Sequence, residues 1–117
     1  MFDMVQNLPK HQQLLLYTIA NLTIGEGGYK KLSGEREKGV LFSGEVYDNY
    51  CKVAKEFGKA PSTDRWYREQ IRNLDMYGLI KATASGKGVR GNTQLISLNC
   101  DAKKMKSVLE KELVGAQ

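Results

Sequence analysis

The feature that most constrains the chain is a change of hydrophobic period at Gly78. Before it, Tyr67, Ile71 and Leu74 recur at i, i+4 and i+7 and make one apolar face of a helix. After it, Ile80, Ala82 and Ala84 alternate with Lys81, Thr83 and Ser85, and a second alternation over Thr93 to Asn99 sets Ile96 and Leu98 on one side. Gly78 is the stop between the two patterns, because glycine takes the left-handed conformation that ends a helix. The helix is predicted over 62–77. Ala60 precedes a proline and so avoids the helical region, and Ser62, with Thr63 beside it, offers a hydroxyl to the free amides of the first turn.

The outer side of that helix is polar. Arg65, Glu69 and Arg72 fall opposite the apolar face, flanked by Trp66, Arg68 and Asn73. The hairpin tip reads Gly86-Lys87-Gly88-Val89-Arg90-Gly91-Asn92. Its glycines let backbone approach a phosphate chain closely, and Lys87 and Arg90 sit where side chains project farthest from a core. Between Ser62 and Thr93 there are six basic residues and three acidic ones, so a local +3 supplies more than half of the chain's net charge of +5. A polar-faced helix joined to a basic hairpin points to an anionic partner, double-stranded DNA in particular.

The remaining segments complete a recognisable architecture. Pro9 suits the first turn of a helix over Lys10–Leu22, with Leu15, Ile19 and Leu22 on its apolar face; residues 1–7 show no periodicity and are expected to be a loose lead-in. Thr23 to Gly39 carries five glycines and few apolar residues, and is expected to be a mobile surface loop. Val40-Leu41-Phe42 is a short strand placed to pair with the later hairpin. Ser43 is the expected cap of a helix in which Val46, Tyr50, Val53 or Ala54, and Phe57 repeat, with Gly58 as its exit. Asp101 should cap a last helix whose inner face is Ala102, Met105, Leu109 and Leu113, its lysines lying outside. The expected fold class is α+β and mostly helical: a winged helix-turn-helix with a three-helix core, a short first strand, a β-hairpin wing and an extra C-terminal helix. One domain over 8–114 accounts for 117 residues at 41% hydrophobic content, leaving 1–7 and 115–117 as flexible termini.

Other classes fare worse. No apolar run is long enough to cross a bilayer and no signal peptide is evident, so the expectation is a cytoplasmic protein, nucleoid-associated through DNA, with no membrane partner. Cys51 and Cys100 lack metal-ligand spacing and His11 is the only histidine, so no zinc site and no cofactor are expected and both cysteines read as reduced packing residues. Gly86 to Thr93 mimics a phosphate-binding loop, but Asn92 stands where the lysine belongs and a strand follows where a helix is needed. No nucleophile has a histidine-based activating partner and no paired carboxylates are evident, so the chain is not read as an enzyme.

Leu8-Pro9-Lys10-His11-Gln12 leading into Leu14-Leu15-Leu16-Tyr17, then Ser43-Gly44-Glu45-Val46-Tyr47 and Leu74-Asp75-Met76-Tyr77-Gly78-Leu79-Ile80, resembles the C-terminal winged-helix domain of archaeal replication initiators, the origin-recognition and cell-division-control type ATPases. The resemblance runs from Leu8 to Leu98. It implies that the 62–77 helix docks in the major groove of an origin repeat and the 86–92 wing in the neighbouring minor groove. By position it makes Arg65, Trp66, Glu69 and Arg72 the major-groove candidates and Lys87 and Arg90 the wing contacts. Trp66 and Tyr67 depart from the family's pattern, standing where a basic and an aliphatic residue are expected. The family's ATPase domain is absent from this chain; such a domain of a parent protein, or other replication proteins, are the further partners implied.

Arg65 and Arg72 are the strongest base-reading candidates, since a guanidinium holds guanine in two places for about 1–3 kcal/mol of discrimination. Ser62 and Thr63 are caps first and phosphate contacts second. A solvated helix competes with this reading, with Glu69 paired to Arg65 or Arg72 for only about 0.3–0.5 kcal/mol. Trp66 fits half-burial against a neighbouring element as well as contact to a thymine methyl. A winged-helix transcriptional regulator, or a winged helix that docks protein without binding DNA, are the alternatives.

Overall fold

Four apolar helix faces and one small sheet close on one another in the computed structural model, which describes residues 2–25, 41–84 and 94–115. The elements are α1 (Phe2–Gln6), α2 (Lys10–Ile24), β1 (Leu41–Phe42), α3 (Ser43–Glu56), α4 (Asp64–Met76), β2 (Ile80–Ala84), β3 (Gln94–Leu98) and α5 (Ala102–Gly115). α2 is the hub. Its Leu14, Leu15, Leu16, Ile19 and Ala20 are fully buried, and it packs against α5 on one side and α3 on the other. From α3 come Val46, Tyr50 and Ala54, from α4 Tyr67, Ile71 and Leu74, and from α5 Met105, Leu109 and Leu113. Each set is a helical repeat from the sequence, now turned inward.

The sheet is antiparallel with strand order β1-β3-β2. β1 joins β3 through Leu41↔Ile96 and Phe42↔Leu95, while β2 and β3 run in register from Ile80↔Leu98 to Ala84↔Gln94. This register places Leu41, Ile80 and Ile96 together on the buried face. The result is the winged helix expected from the change of period at Gly78: three core helices (α2, α3, α4), a short first strand, a hairpin and an extra C-terminal helix. Gly58 and Gly78 both have positive φ, 73° and 79°, and end α3 and α4 in a conformation that a β-carbon would strain.

Four local expectations need correction. The lead-in over 1–7 contains a helix, α1, tied down by fully buried Val5 and by Gln13 Nε2, which donates to the Val5 carbonyl at 2.9 Å. α2 continues past Leu22 to Ile24 because Thr23 Oγ1 bonds back to the Ile19 carbonyl and the Gly25 N–H closes on Asn21. Ser43 is not a cap: extended Phe42 is the N-cap residue, with no side-chain cap bond, and Ser43 is the first helical residue. Ser62 is not a cap either, since Thr63 Oγ1 accepts from the Trp66 N–H at 3.2 Å and α4 begins at Asp64. Asp101 does cap α5, its Oδ1 accepting from the amides of Lys103 and Lys104. Residues 26–40, which hold most of the expected 23–39 loop, lie outside the described residues, as does the hairpin tip over 85–93.

Cys51 and Cys100 are free thiols half-buried beside the core. Burial first, and the charge of Asp101 second, push the Cys100 thiol up and keep it protonated. No helix among the described residues is long and apolar enough to cross a membrane.

Candidate nucleic-acid interface

α4 is fixed from below and at both ends. Its buried stripe of Tyr67, Gln70, Ile71 and Leu74 faces the core, and the opposite side points to solvent. At the C-terminal end the Leu79 N–H bonds the Leu74 carbonyl at 3.1 Å, and Asn99 Nδ2 donates to the carbonyls of Gly78 and Ile80. At the N-terminal end two tyrosines of α3 hold one residue. Tyr47 donates its hydroxyl to the Ser62 carbonyl at 2.9 Å, and Tyr50 accepts from the Ser62 N–H at 3.1 Å. The same Tyr50 hydroxyl lies 2.7 Å from Nδ1 of His11 on α2. Three helices therefore meet at the peptide that leads into α4.

Trp66 belongs to this junction. Its ring stacks on Tyr50 with centroids 5.6 Å apart and planes 25° from parallel, and meets His11 edge-on at 5.8 Å. Trp66 is half-buried, turned toward α2 and α3 and away from the arginines. Below it Gln12 Nε2 donates to Gln70 Oε1, a buried amide contact between α2 and α4. Nearer the sheet, Tyr67 donates to the Ser43 carbonyl at 2.9 Å, which ties α4 to the start of α3. Burial pushes the Tyr67 hydroxyl well above the ordinary phenol range, its bond with Ser43 draws it partly back, and Asp64 raises it further. At neutral pH it remains a donor.

The solvent side carries the candidates. Arg65, Arg68, Glu69 and Arg72 are all exposed on α4. Arg68 is paired, its guanidinium 2.9 Å from Asp64 with 76% and 54% of the two side chains exposed. Arg65, Glu69 and Arg72 make no ion pair or side-chain hydrogen bond among the described residues. The pairing of Glu69 with either arginine, the expectation for a merely solvated helix, is not formed. Between α4, the start of α3 and the hairpin lies an open cleft of about 660 Å³, lined by Ser43, Gly44, Asp48, Arg68, Arg72 and Gln94 among others. Ala82 of β2 and Gln94 of β3 line it as well, so the paired strands and α4 flank one hollow.

Of the residues singled out in the sequence, the structure brings Arg65, Arg68, Glu69 and Arg72 to one surface. Thr63 is committed to capping, Ser62 is half-buried with both backbone groups bonded to tyrosines, and Trp66 sits in the aromatic junction. Lys87 and Arg90 lie outside the described residues. Sequence reasoning missed His11, Tyr47 and Tyr50 as the groups that hold α4, and Met76 at its exposed end.

Comparison with known proteins agrees with this architecture. Residues 3–108 match the family described as CDC6, C terminal winged helix domain. The ORC1-type DNA replication protein 2 of Sulfurisphaera tokodaii is 40% identical over 98 residues, which is 83% of this chain and 21% of that protein. The ORC1-type DNA replication protein 1 of Archaeoglobus fulgidus is 31% identical over 112 residues, 96% of this chain and 24% of that one. This chain thus spans between a fifth and a quarter of the length of these relatives. Among solved structures, the Aeropyrum pernix ORC1 protein in complex with DNA superposes with a TM-score of 0.77 at 26% identity, over 98% of this chain and 27% of that one. Cdc6p from Pyrobaculum aerophilum, at 20% identity, shares the fold with a TM-score of 0.76 over 99% of this chain and 26% of that chain. With its helix order, its small antiparallel sheet and nearly its whole length accounted for, the chain belongs to the CDC6 C-terminal winged-helix domain family of replication proteins.

Proposed function

We propose that this domain binds double-stranded DNA in replication initiation, with α4 in the major groove of an origin repeat and the 86–92 wing in the adjacent minor groove. The observation that carries the reading is the exposed set Arg65, Glu69 and Arg72, unpaired among the described residues, on a helix clamped at both ends. A rigid helix loses little freedom on docking, and unpaired guanidiniums are ready to meet base edges or phosphate. That the Aeropyrum pernix ORC1 protein was solved in complex with DNA supports the DNA-binding part of this reading. Arg90 in its glycine-flanked setting suits a narrow minor groove, where negative potential is enhanced, and Lys87 suits phosphate. Ser62, Thr63, Arg68 and Trp66 play supporting parts, as framework or backbone contacts. ATP hydrolysis belongs to a separate domain of a longer parent protein, and the domain works with that ATPase unit on the nucleoid.

The test is a titration of labelled duplex followed by amide chemical shifts and by fluorescence anisotropy at several salt concentrations. Perturbations should concentrate on α4 and the wing, and log K should fall with log salt by about 0.9 per neutralised phosphate. Arg90→Ala should weaken binding to all duplexes and lower that slope by about 1. Archaeal origin fragments competed against random DNA distinguish an origin reader from a general winged-helix regulator. Shifts that stay unperturbed by duplex would leave protein docking as the better account.

A further inference from the structure

α4 ends in an apolar side chain that the core does not use. Met76 is 75% exposed, the most exposed large hydrophobic residue among those described, and it takes no part in the buried cluster or its margin. It follows Arg72 by four positions and Arg65 by eleven, so it continues the line of those two arginines, opposite Tyr67, Gln70, Ile71 and Leu74. Its backbone is fixed. The N–H groups of Tyr77, Gly78 and Leu79 close on the carbonyls of Asn73, Asp75 and Leu74 at 2.9, 3.0 and 3.1 Å. A single exposed apolar residue is ordinary on a protein surface, so exposure alone assigns nothing. What assigns a role is its place on one face with two guanidiniums that have no partners among the described residues.

Given the reading of α4 as the major-groove helix, on which this rests, we infer that Met76 is a specificity-determining contact that packs on the C5-methyl of a thymine close to the base held by Arg72. Thymine alone among the bases shows a methyl group in the major groove. Methionine is unbranched and adaptable, and can lay its thioether chain on such a methyl without demanding one rotamer. Residues at i and i+4 have β-carbons about 5–6 Å apart, and successive base pairs rise by about 3.4 Å. The thymine therefore lies within about two base pairs of the Arg72 contact. A protein partner that grips Met76 would need no thymine at all, which makes the two occupants separable.

The experiment uses the 117-residue chain. A preferred duplex is selected from a randomised library with the wild-type protein, and each of its thymines is replaced in turn by deoxyuridine, which lacks only the methyl. One replacement should lower wild-type affinity about fourfold, the equivalent of about 0.8 kcal/mol for one buried methyl. In Met76→Ala that penalty should vanish while the slope of affinity against salt stays the same, because no phosphate contact is lost. Arg72→Ala should relax preference at a base pair within about two steps of that thymine. Circular dichroism and the thermal midpoint of Met76→Ala should match wild type, as the side chain is outside the core. A deoxyuridine penalty of equal size in both proteins, no penalty at any thymine, or a uniform loss on every duplex overturns the inference and leaves the DNA-binding reading standing. Failure of the wild-type chain to retain any duplex overturns both.

Discussion

α4 and α5 are both amphipathic helices with cations on their outer sides, but they differ in what those cations meet. α4 sets Arg65, Arg68 and Arg72 against Asp64, Glu69 and Asp75 and is neutral by count, whereas α5 sets Lys103, Lys104, Lys106 and Lys111 against only Glu110 and Glu112. By net charge alone α5 would be the better anion binder. Its polar groups are partly committed elsewhere: Tyr17 of α2 donates to Glu110, Lys10 donates to the Glu112 carbonyl, and Lys106 is 3.9 Å from Glu110. α5 is a buttress for α2 with a solvated ridge. On α4 Asp64 is taken by Arg68, while Arg65, Glu69 and Arg72 stay unpaired among the described residues. Presentation on a clamped helix beside a hairpin, more than charge density, distinguishes the candidate reading surface.

The contrast is broken most readily at the core. Leu109→Ala, which removes a fully buried side chain from the α5 inner face, should destabilise the domain by about 2–5 kcal/mol in chemical denaturation. A loss below about 1 kcal/mol would mean that α5 is an appendage and not a buttress. The surface tests come next. Arg65→Ala and Arg72→Ala should each cost about 1–3 kcal/mol of discrimination between preferred and random duplex, with the thermal midpoint unchanged. The double change of Lys103→Ala and Lys104→Ala should leave both affinity and salt slope as they are. If instead the lysine variant lowers the slope by about 0.9 per residue while the arginine variants bind normally, the roles of the two helices are exchanged.

Much of this contrast is legible in the sequence, for physical reasons that also explain what is not. Tyr67, Ile71 and Leu74 announce the buried side of α4 because burial imposes a period, and Gly78 marks its end because the conformation there, φ 79°, disfavours a β-carbon. Ser62 and Thr63 are adjacent hydroxyls, and only the bonding decides between them: the Ser62 amide is taken by Tyr50, so capping falls to Thr63. α1 escapes notice because five residues hold too little pattern to show a period, and its anchor, Gln13, lies on another helix. The candidate face is visible as Arg65, Glu69 and Arg72 at helical spacing, but its support is not. His11 meets Tyr50 across 39 residues, and Tyr50 meets Ser62 across 12, separations that no local periodicity encodes.

That hidden support defines the next measurement. Tyr50→Phe keeps the ring that stacks on Trp66 and deletes the hydroxyl that serves both His11 and the Ser62 amide. The lost bonds should cost about 0.5–1.5 kcal/mol of stability, and the single tryptophan's emission should report a looser junction. Amide exchange at Ser62 should accelerate in the variant. If exchange and emission both stay at wild-type values, the aromatic junction is not what holds the start of α4, and the rigidity assigned to the reading helix must come from its buried stripe alone.

The smallest effect belongs to the ion pair that α4 carries among the described residues. Arg68 and Asp64 are both largely exposed, so their 2.9 Å contact is screened by water and salt and should contribute only about 0.3–0.5 kcal/mol. Asp64→Asn should therefore barely move the thermal midpoint, yet it frees Arg68 at the margin of the cleft. Added positive charge there should raise affinity for random duplex at low salt and steepen the salt dependence, because a released guanidinium is available to phosphate. An increase confined to the preferred duplex would instead make Arg68 a base contact. No change on either duplex would place Arg68 outside the DNA footprint, narrowing the reading surface to the line of Arg65, Glu69, Arg72 and Met76.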